Sequence, residues 1–242
     1  RDVHVCVTCV HYDDFLVHTL PSTVTLFPHT WVVTAPEDER SIAVTRRYGA
    51  SLFTTDVWWY NGAPFDKGAA INEWIETCII KDPPCWILLL DADIYLLPGL
   101  ESHLRSLQRH VLYSAQRRMC TSKEDWACFC LGRLSPGDFA ISHVPIKNGR
   151  AFGSRPTSNP AGLQGYFQLF FLHEEAAKKR SLLNPSGSAR AYDVEFALTY
   201  PEQHREDLSG YEVIHLGEPK ANWNGRVTQR WDNAVLPPAL ER

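Results

Sequence analysis

Residues 85–99 read CWILLLDADIYLLPG. Five consecutive apolar side chains, Trp86 to Leu90, run straight into Asp91-Ala92-Asp93, and apolar residues resume at Ile94. A run this short and this uniformly apolar reads as a strand buried on both faces, the kind a parallel sheet places at its centre. Such a strand restricts the chain to folds that cover both faces of a sheet with further layers. It also sets a chemical problem, because two carboxylates at the end of an apolar strand are costly to bury unless something neutralises them.

The rest of the first half repeats the pattern. VHVCVTCV (3–10), TWVVTAP (30–36) and ASLFTT (50–55) read as strands. Residues 13–27 read as a helix interrupted at Pro21. EDERSIAVTRRYG (37–49) has acids first, bases last and Gly49 behind it, the charge order that a helix dipole favours. DKGAAINEWIETCII (66–80) has apolar residues at helical spacing with Asp66 placed to cap it. Alternating strands and helices predict an α/β fold, an open and mostly parallel, Rossmann-like sheet flanked by helices. The second half is less regular. HVLYSA (110–115), DFAISH (138–143) and YEVIHLG (211–217) read as strands, and the aromatic stretch from Gly165 to Arg180 reads as helix. With no internal repeat and no clear linker, residues 1–242 read as one domain, with halves of about 1–115 and 116–230.

Composition excludes several classes. The 242 residues carry a net charge of −4 with no long run of like charges, so an electrostatic nucleic-acid surface is not expected. No apolar stretch reaches the length of a membrane span, and no stretch reads as a secretory h-region. The chain opens on Arg1 and contains one methionine, Met119, which reads as a trimmed fragment or an excised domain. Seven cysteines are an odd number, and Cys6, Cys78 and Cys85 lie in or beside apolar runs. They read as buried reduced thiols, which predicts a reducing, cytoplasmic setting, although a lumenal domain cut from its anchor would look much the same. Cys120, Cys128 and Cys130 cluster without the CxxC spacing of a zinc knuckle.

Ligands of open α/β sheets bind beyond the carboxyl ends of the strands. Residues i and i+2 of an extended segment point the same way, so Asp91 and Asp93 are expected to face one object. The cheapest partner for two such anions is a divalent cation with hard oxygen ligands. The plainer alternative has one Asp capping a helix and the other in solvent.

With these pieces in order, the sequence resembles the GT-A fold glycosyltransferases over about residues 3 to 226. ILLLDAD looks like their DxD motif, and FDKGAAIN like the segment with a basic residue ahead of a helix and an Asn within it. YDVEFAL looks like the late acidic motif, and VIHLGEPKANWNGR like the late His-containing segment. The resemblance implies a nucleotide-sugar donor, UDP-linked, an acceptor hydroxyl on a glycan or other molecule, and Mn2+ or Mg2+ as cofactor. It assigns Asp93 as direct metal ligand, Asp91 as a contact to ribose or metal-bound water, and His215 as a further ligand. Asp91, Ala92 and Asp93 together would line the donor. Lys67 would contact nucleotide phosphate or base, with Asn72 on the same helix. Lys220 and Arg226 would add positive charge at the diphosphate. Thr8 and Val10 would lie along the base, and Thr34, Glu37 and Asp38 near base and ribose.

For an inverting transfer one carboxylate must deprotonate the acceptor. The resemblance assigns this to Asp193, although the family's expected preceding Glu is Tyr192 here, and Glu195 is the second candidate. On a helix the two would lie about 200° apart and could not share the task. Gly165 and Tyr166, the run Trp58-Trp59-Tyr60 and Trp223 are candidate sugar contacts, with plain core packing as the alternative for the rings. A sugar nucleotidyltransferase would carry a glycine-rich basic loop after the first strand, where this chain has TCVHYDDF. A non-catalytic binding domain and a retaining transferase both remain open. The donor sugar and acceptor depend on the loops at 117–133 and 150–190.

Overall fold

The computed structural model describes residues 2–62, 65–79, 84–142, 146–147, 150–151, 165–173, 189–218, 226 and 228–232. The first half runs β1 (Val3–Thr8), α1 (Asp13–Leu26), β2 (His29–Thr34), α2 (Glu39–Tyr48), β3 (Ser51–Thr54), α3 (Lys67–Trp74) and β4 (Cys85–Asp91). After it come β5 (Ile94–Leu96), α4 (Leu100–Leu104), β6 (Leu112–Cys120), α5 (Lys123–Cys130), β7 (Ala140–Ile141), β8 (Ile146–Lys147) and β9 (Arg150–Ala151). The last described elements are β10 (Phe167–Leu172), α6 (Ala189–Leu198) and β11 (Arg205–Leu216).

One sheet has the order β3-β2-β1-β4-β10-β6-β11-β5 with β7 on β6, while β8 and β9 pair with each other. Strands β3, β2, β1 and β4 are parallel, and β10 is antiparallel to both β4 and β6. The carboxyl ends of β1, β2 and β4 therefore share one edge, and the register sets Thr8 beside Asp91.

Strand β4 is buried from Cys85 to Leu90, and its side chains alternate between two cores. Trp86, Leu88 and Leu90 join Leu16 and Leu20 of α1. Ile87 and Leu89 join Ala70, Ile71 and Trp74 of α3 and Phe196 of α6. Each fully buried aliphatic contributes about 1.5–3 kcal/mol, so the strand that ends in Asp91 is among the most firmly held pieces of backbone.

Three elements depart from the sequence reading. Helix α1 runs through Pro21 without stopping. The ring costs about 3 kcal/mol in a helix interior, but Phe15, Leu16 and Leu20 are all buried. The Ser22 hydroxyl also donates to the Thr19 carbonyl at 2.7 Å. The segment Phe167–Leu172 is a strand, not a helix, with all six side chains buried between β4 and β6. A short apolar run has no period by which to tell the two apart. Strand β6 extends to Cys120, beyond the expected end at Ala115, because it pairs along its length with β11.

A latch closes the start of α1. The Arg226 guanidinium donates to both carboxylate oxygens of Asp14, one at 2.8 Å, and to the His11 carbonyl at 3.1 Å. It lies over the rings of Tyr12 and Phe15, at 4.7 and 4.9 Å. The Trp231 amide donates to Asp14 at 2.5 Å, and Arg230 grips Asp13 through two bonds at 3.0 and 2.6 Å. Arg226, which the resemblance sets at the diphosphate, is here paired with Asp14. Because the Asp14 side chain is 1% exposed and that of Arg226 is 9% exposed, removing the acid strands a buried cation. Asp14→Ala is expected to lower the unfolding free energy by about 3–5 kcal/mol. Urea denaturation measures this, and a loss under about 1 kcal/mol would contradict a desolvated pair.

Candidate functional site

Asp66 caps α3, its carboxylate accepting from the Ala69 amide at 2.9 Å, and this fixes Lys67 as the first helical residue. The Lys67 side chain is 5% exposed and points its ammonium at the edge where β4 ends. It donates to Asp91 Oδ1 at 2.5 Å and to the Gly165 carbonyl at 3.3 Å, and stands 3.6 Å from Asp193 Oδ1. The Tyr192 ring lies 5.4 Å from the ammonium. Burial alone would depress the lysine pKa, but Asp193 and Asp91 outweigh it and hold the ammonium charged above its ordinary value. Asp193 sits in the interior of α6 and does not cap it. Its carboxyl is pushed up to about 7 by burial, with Lys67 opposing and Asp91 adding to the shift.

Asp93 lies one turn further on. The chain bends after Asp91, so the two carboxylates do not continue along one extended strand as the i, i+2 expectation had it. The bend is pinned from three sides. The Asp91 amide donates to Tyr166 O at 3.1 Å, the Thr19 hydroxyl to Ala92 O at 2.6 Å, and the Leu216 amide to Asp93 O at 2.8 Å. Asp93 Oδ2 is 3.5 Å from His215 Nε2 on β11. Burial, with the Asp91 charge nearby, pushes the Asp93 carboxyl up to about 7. Burial, then the positive charge of Arg117, pushes His215 down to about 3, so the imidazole is neutral at physiological pH.

Among the described residues no three His, Cys, Asp or Glu side chains converge as a ready metal cluster. Asp91 turns to Lys67, and Asp93 and His215 form a pair. That pair fits a divalent cation. Asp93 Oδ1 and His215 Nδ1 are buried without a hydrogen-bond partner among the described residues; a carboxylate oxygen suits Mn2+ or Mg2+, and a neutral imidazole beside it favours the softer of the two, Mn2+. Among the described residues Cys120, Cys128 and Cys130 do not gather as a metal-holding group, and no disulfide joins any of the seven cysteines.

The other expected residues fall in several places. Thr8 donates to Asp91 Oδ1 at 3.5 Å, and Val10 is buried at the same edge. Asp38 caps α2 and also accepts from Thr34 and from the His11 amide, at 3.2 and 2.6 Å. Its carboxylate is therefore spent on the loop after β1. Asn72 lies on α3 and Glu195 on α6. Trp58 is wholly buried against Phe65 at 5.0 Å, so it is core, while Trp59 is 40% exposed. Tyr166 is also core, its hydroxyl donating to the Ala115 carbonyl at 2.6 Å. Lys220 and Trp223 lie outside the described residues.

Two participants were not read from the sequence. Arg117, on the unforeseen half of β6, lies 4.8 Å over the Tyr166 ring and bears electrostatically on Asp93 and His215. Gln168, 1% exposed on β10, donates to the Asp193 carbonyl at 3.1 Å. A buried polar residue inside FQLFFL was the available signal.

No protein-family profile matches the chain, and no curated protein matches its sequence. Solved structures do match. The mannosyltransferase PcManGT from Pyrobaculum calidifontis, in complex with GDP-Man and Mn2+, is similar with a TM-score of 0.52 and 13% identity over 92% of this chain. This chain spans 58% of that protein's length. Mannosyl-3-phosphoglycerate synthase from Rubrobacter xylanophilus is similar with a TM-score of 0.52 and 11% identity, covering 90% of this chain and 67% of that one. Identity this low carries architecture rather than activity. No helix among the described residues is long and apolar enough to cross a membrane. The α/β order, the largely parallel first half of the sheet and these likenesses agree: the chain has the fold of the GT-A glycosyltransferases.

Proposed function

We propose that this chain is a metal-dependent glycosyltransferase that moves a sugar from a nucleotide-diphosphate donor, UDP-linked, to an acceptor hydroxyl with inversion. One observation carries the reading. At the carboxyl edge of a GT-A sheet, a buried lysine is held between Asp91 and Asp193, next to the desolvated pair Asp93 and His215. Carboxyl groups held near pH 7 and a neutral buried imidazole are expensive to maintain for packing alone. The architecture shared with a mannosyltransferase in complex with GDP-Man and Mn2+ supports the nucleotide-sugar and metal parts of this reading.

Asp93 and His215 would hold Mn2+ or Mg2+, with Asp91 reaching metal-bound water or ribose. A cation bound there supplies Lewis-acid stabilisation of charge on the departing diphosphate. Lys67, kept charged, places a second positive group at the same edge. Thr8, Val10 and Thr34 line the side of the edge proposed for the nucleoside. Asp193 takes the acceptor proton. Its Oδ1 has no hydrogen-bond partner among the described residues, and a carboxyl poised near 7 suits a base working at neutral pH.

Release of UDP from UDP-sugars, assayed with a panel of saccharide acceptors, tests the proposal. Turnover is expected with Mn2+, to vanish with EDTA and to return when Mn2+ is restored. Turnover in EDTA would remove the metal from the account. The base must be deprotonated to act, so kcat is expected to rise with pH through about 7 and to fall below it. Asp193→Asn is expected to cut kcat by about 10²–10⁴-fold and to erase that acid limb. An Asp193→Asn enzyme with wild-type kcat, or a product of retained anomeric configuration by proton NMR, would take the base role away from Asp193.

A further inference from the structure

The glycine two residues before β10, Gly165, has an unusual neighbour. A Cβ placed on Gly165 would lie 1.6 Å from Asp193 Cγ, 1.7 Å from its Oδ2 and 1.9 Å from its Oδ1. All three are far inside any contact distance, and the atoms met are those of the carboxyl group itself. The Gly165 backbone is not in the left-handed region that demands glycine elsewhere in this chain, as at Gly49, Gly99 and Gly217. What excludes a side chain at 165 is therefore the carboxylate and not the main chain.

The same short segment touches the other members of the site. The Gly165 carbonyl accepts from Lys67 Nζ, and the next carbonyl, that of Tyr166, accepts from the Asp91 amide. Two residues further on, Gln168 donates to the Asp193 main-chain carbonyl. The start of β10 thus holds α6 by its backbone and leaves a space, one methyl group in size, that the Asp193 carboxyl fills. Filling that space from the glycine side forces the Asp193 carboxyl out of its position beside Lys67.

We infer that Gly165 is a positioning residue for the transfer reaction: its missing side chain sets where the Asp193 carboxylate stands relative to Lys67. The inference deepens the proposed function and rests on Asp193 being the base. It acts on the proposed base, because the three atoms nearest a Cβ at 165 all belong to the Asp193 carboxyl group.

The test is a double-mutant cycle of Gly165→Ala and Asp193→Ala, read by thermal melting and by turnover of a UDP-sugar. Gly165→Ala alone is expected to lower the melting temperature and to reduce kcat by about 100-fold, as misplacement of a catalytic group by an ångström does. The donor KM is expected to change by less than about threefold, since the displaced group acts in the chemical step. In the Asp193→Ala background the clashing atoms are gone, so the added methyl is expected to cost no further melting temperature and no further kcat. Should Gly165→Ala fail to fold while the double variant folds, the steric assignment stands. An equal melting loss in both backgrounds, or failure of both variants to fold, would overturn it. So would a Gly165→Ala enzyme with wild-type kcat beside an inactive Asp193→Asn enzyme. If Asp193→Asn itself keeps full turnover, the base reading has failed and the positioning role falls with it, an outcome recognisable because the melting coupling persists.

Discussion

A lysine ammonium taken almost wholly out of water is the constraint on which the rest of this structure depends. Lys67 can stay charged there only because two carboxylates reach it, Asp91 from the end of β4 and Asp193 from the middle of α6. These residues are far apart in sequence, so the pair exists only when the sheet and both helices are assembled. Desolvating three charges is unfavourable, and their mutual attraction offsets this only with close geometry. The fold supplies that geometry through rigid parts: a cap at Asp66, a strand buried on both faces, and a glycine where a side chain would intrude.

The second half of the site follows the same logic with a different result. Asp93 and His215 are close and desolvated, yet the imidazole is neutral and the carboxyl sits near 7. A pair in this condition has donor atoms to offer and little internal charge to satisfy them. Lys67 answers the charge of Asp91 and Asp193 from within the chain, whereas a cation from outside would answer that of Asp93. The latch of Arg226 and Arg230 on Asp14 and Asp13 holds this late segment of the chain against the start of α1. Distinct basic residues therefore serve distinct acids, and their roles are not interchangeable.

How much of this was legible in the sequence depends on how local the cause was. The apolar run of β4, the cap at Asp66 and the charge order of α2 are local, and each was readable. The strand Phe167–Leu172 was not, because six buried residues carry no period, and its identity comes from lying between β4 and β6. Pro21 was misjudged because a local penalty was outweighed by tertiary burial of the helix around it. The internal bonds of Arg226 and Asp38, to Asp14, to the His11 amide and to the Ser41 amide, join residues that no local pattern pairs, so they were not legible. The bend between Asp91 and Asp93 was not legible, because the expectation rested on an extended segment and no pattern in DAD announces a turn. Gly165 was read as a candidate sugar contact, whereas the structure sets the Asp193 carboxyl where its side chain would be, an approach no local pattern announces.

The central claim is that the end of β4 and His215 together form a cation-dependent site for a nucleotide diphosphate. Calorimetric titration of UDP into the protein, with Mn2+ and with EDTA, for the wild type and for Asp93→Asn, tests it most directly. The account predicts heat of binding for the wild type with Mn2+, and its loss both in EDTA and in Asp93→Asn. Equal UDP binding in EDTA, or undiminished binding by Asp93→Asn, would contradict it.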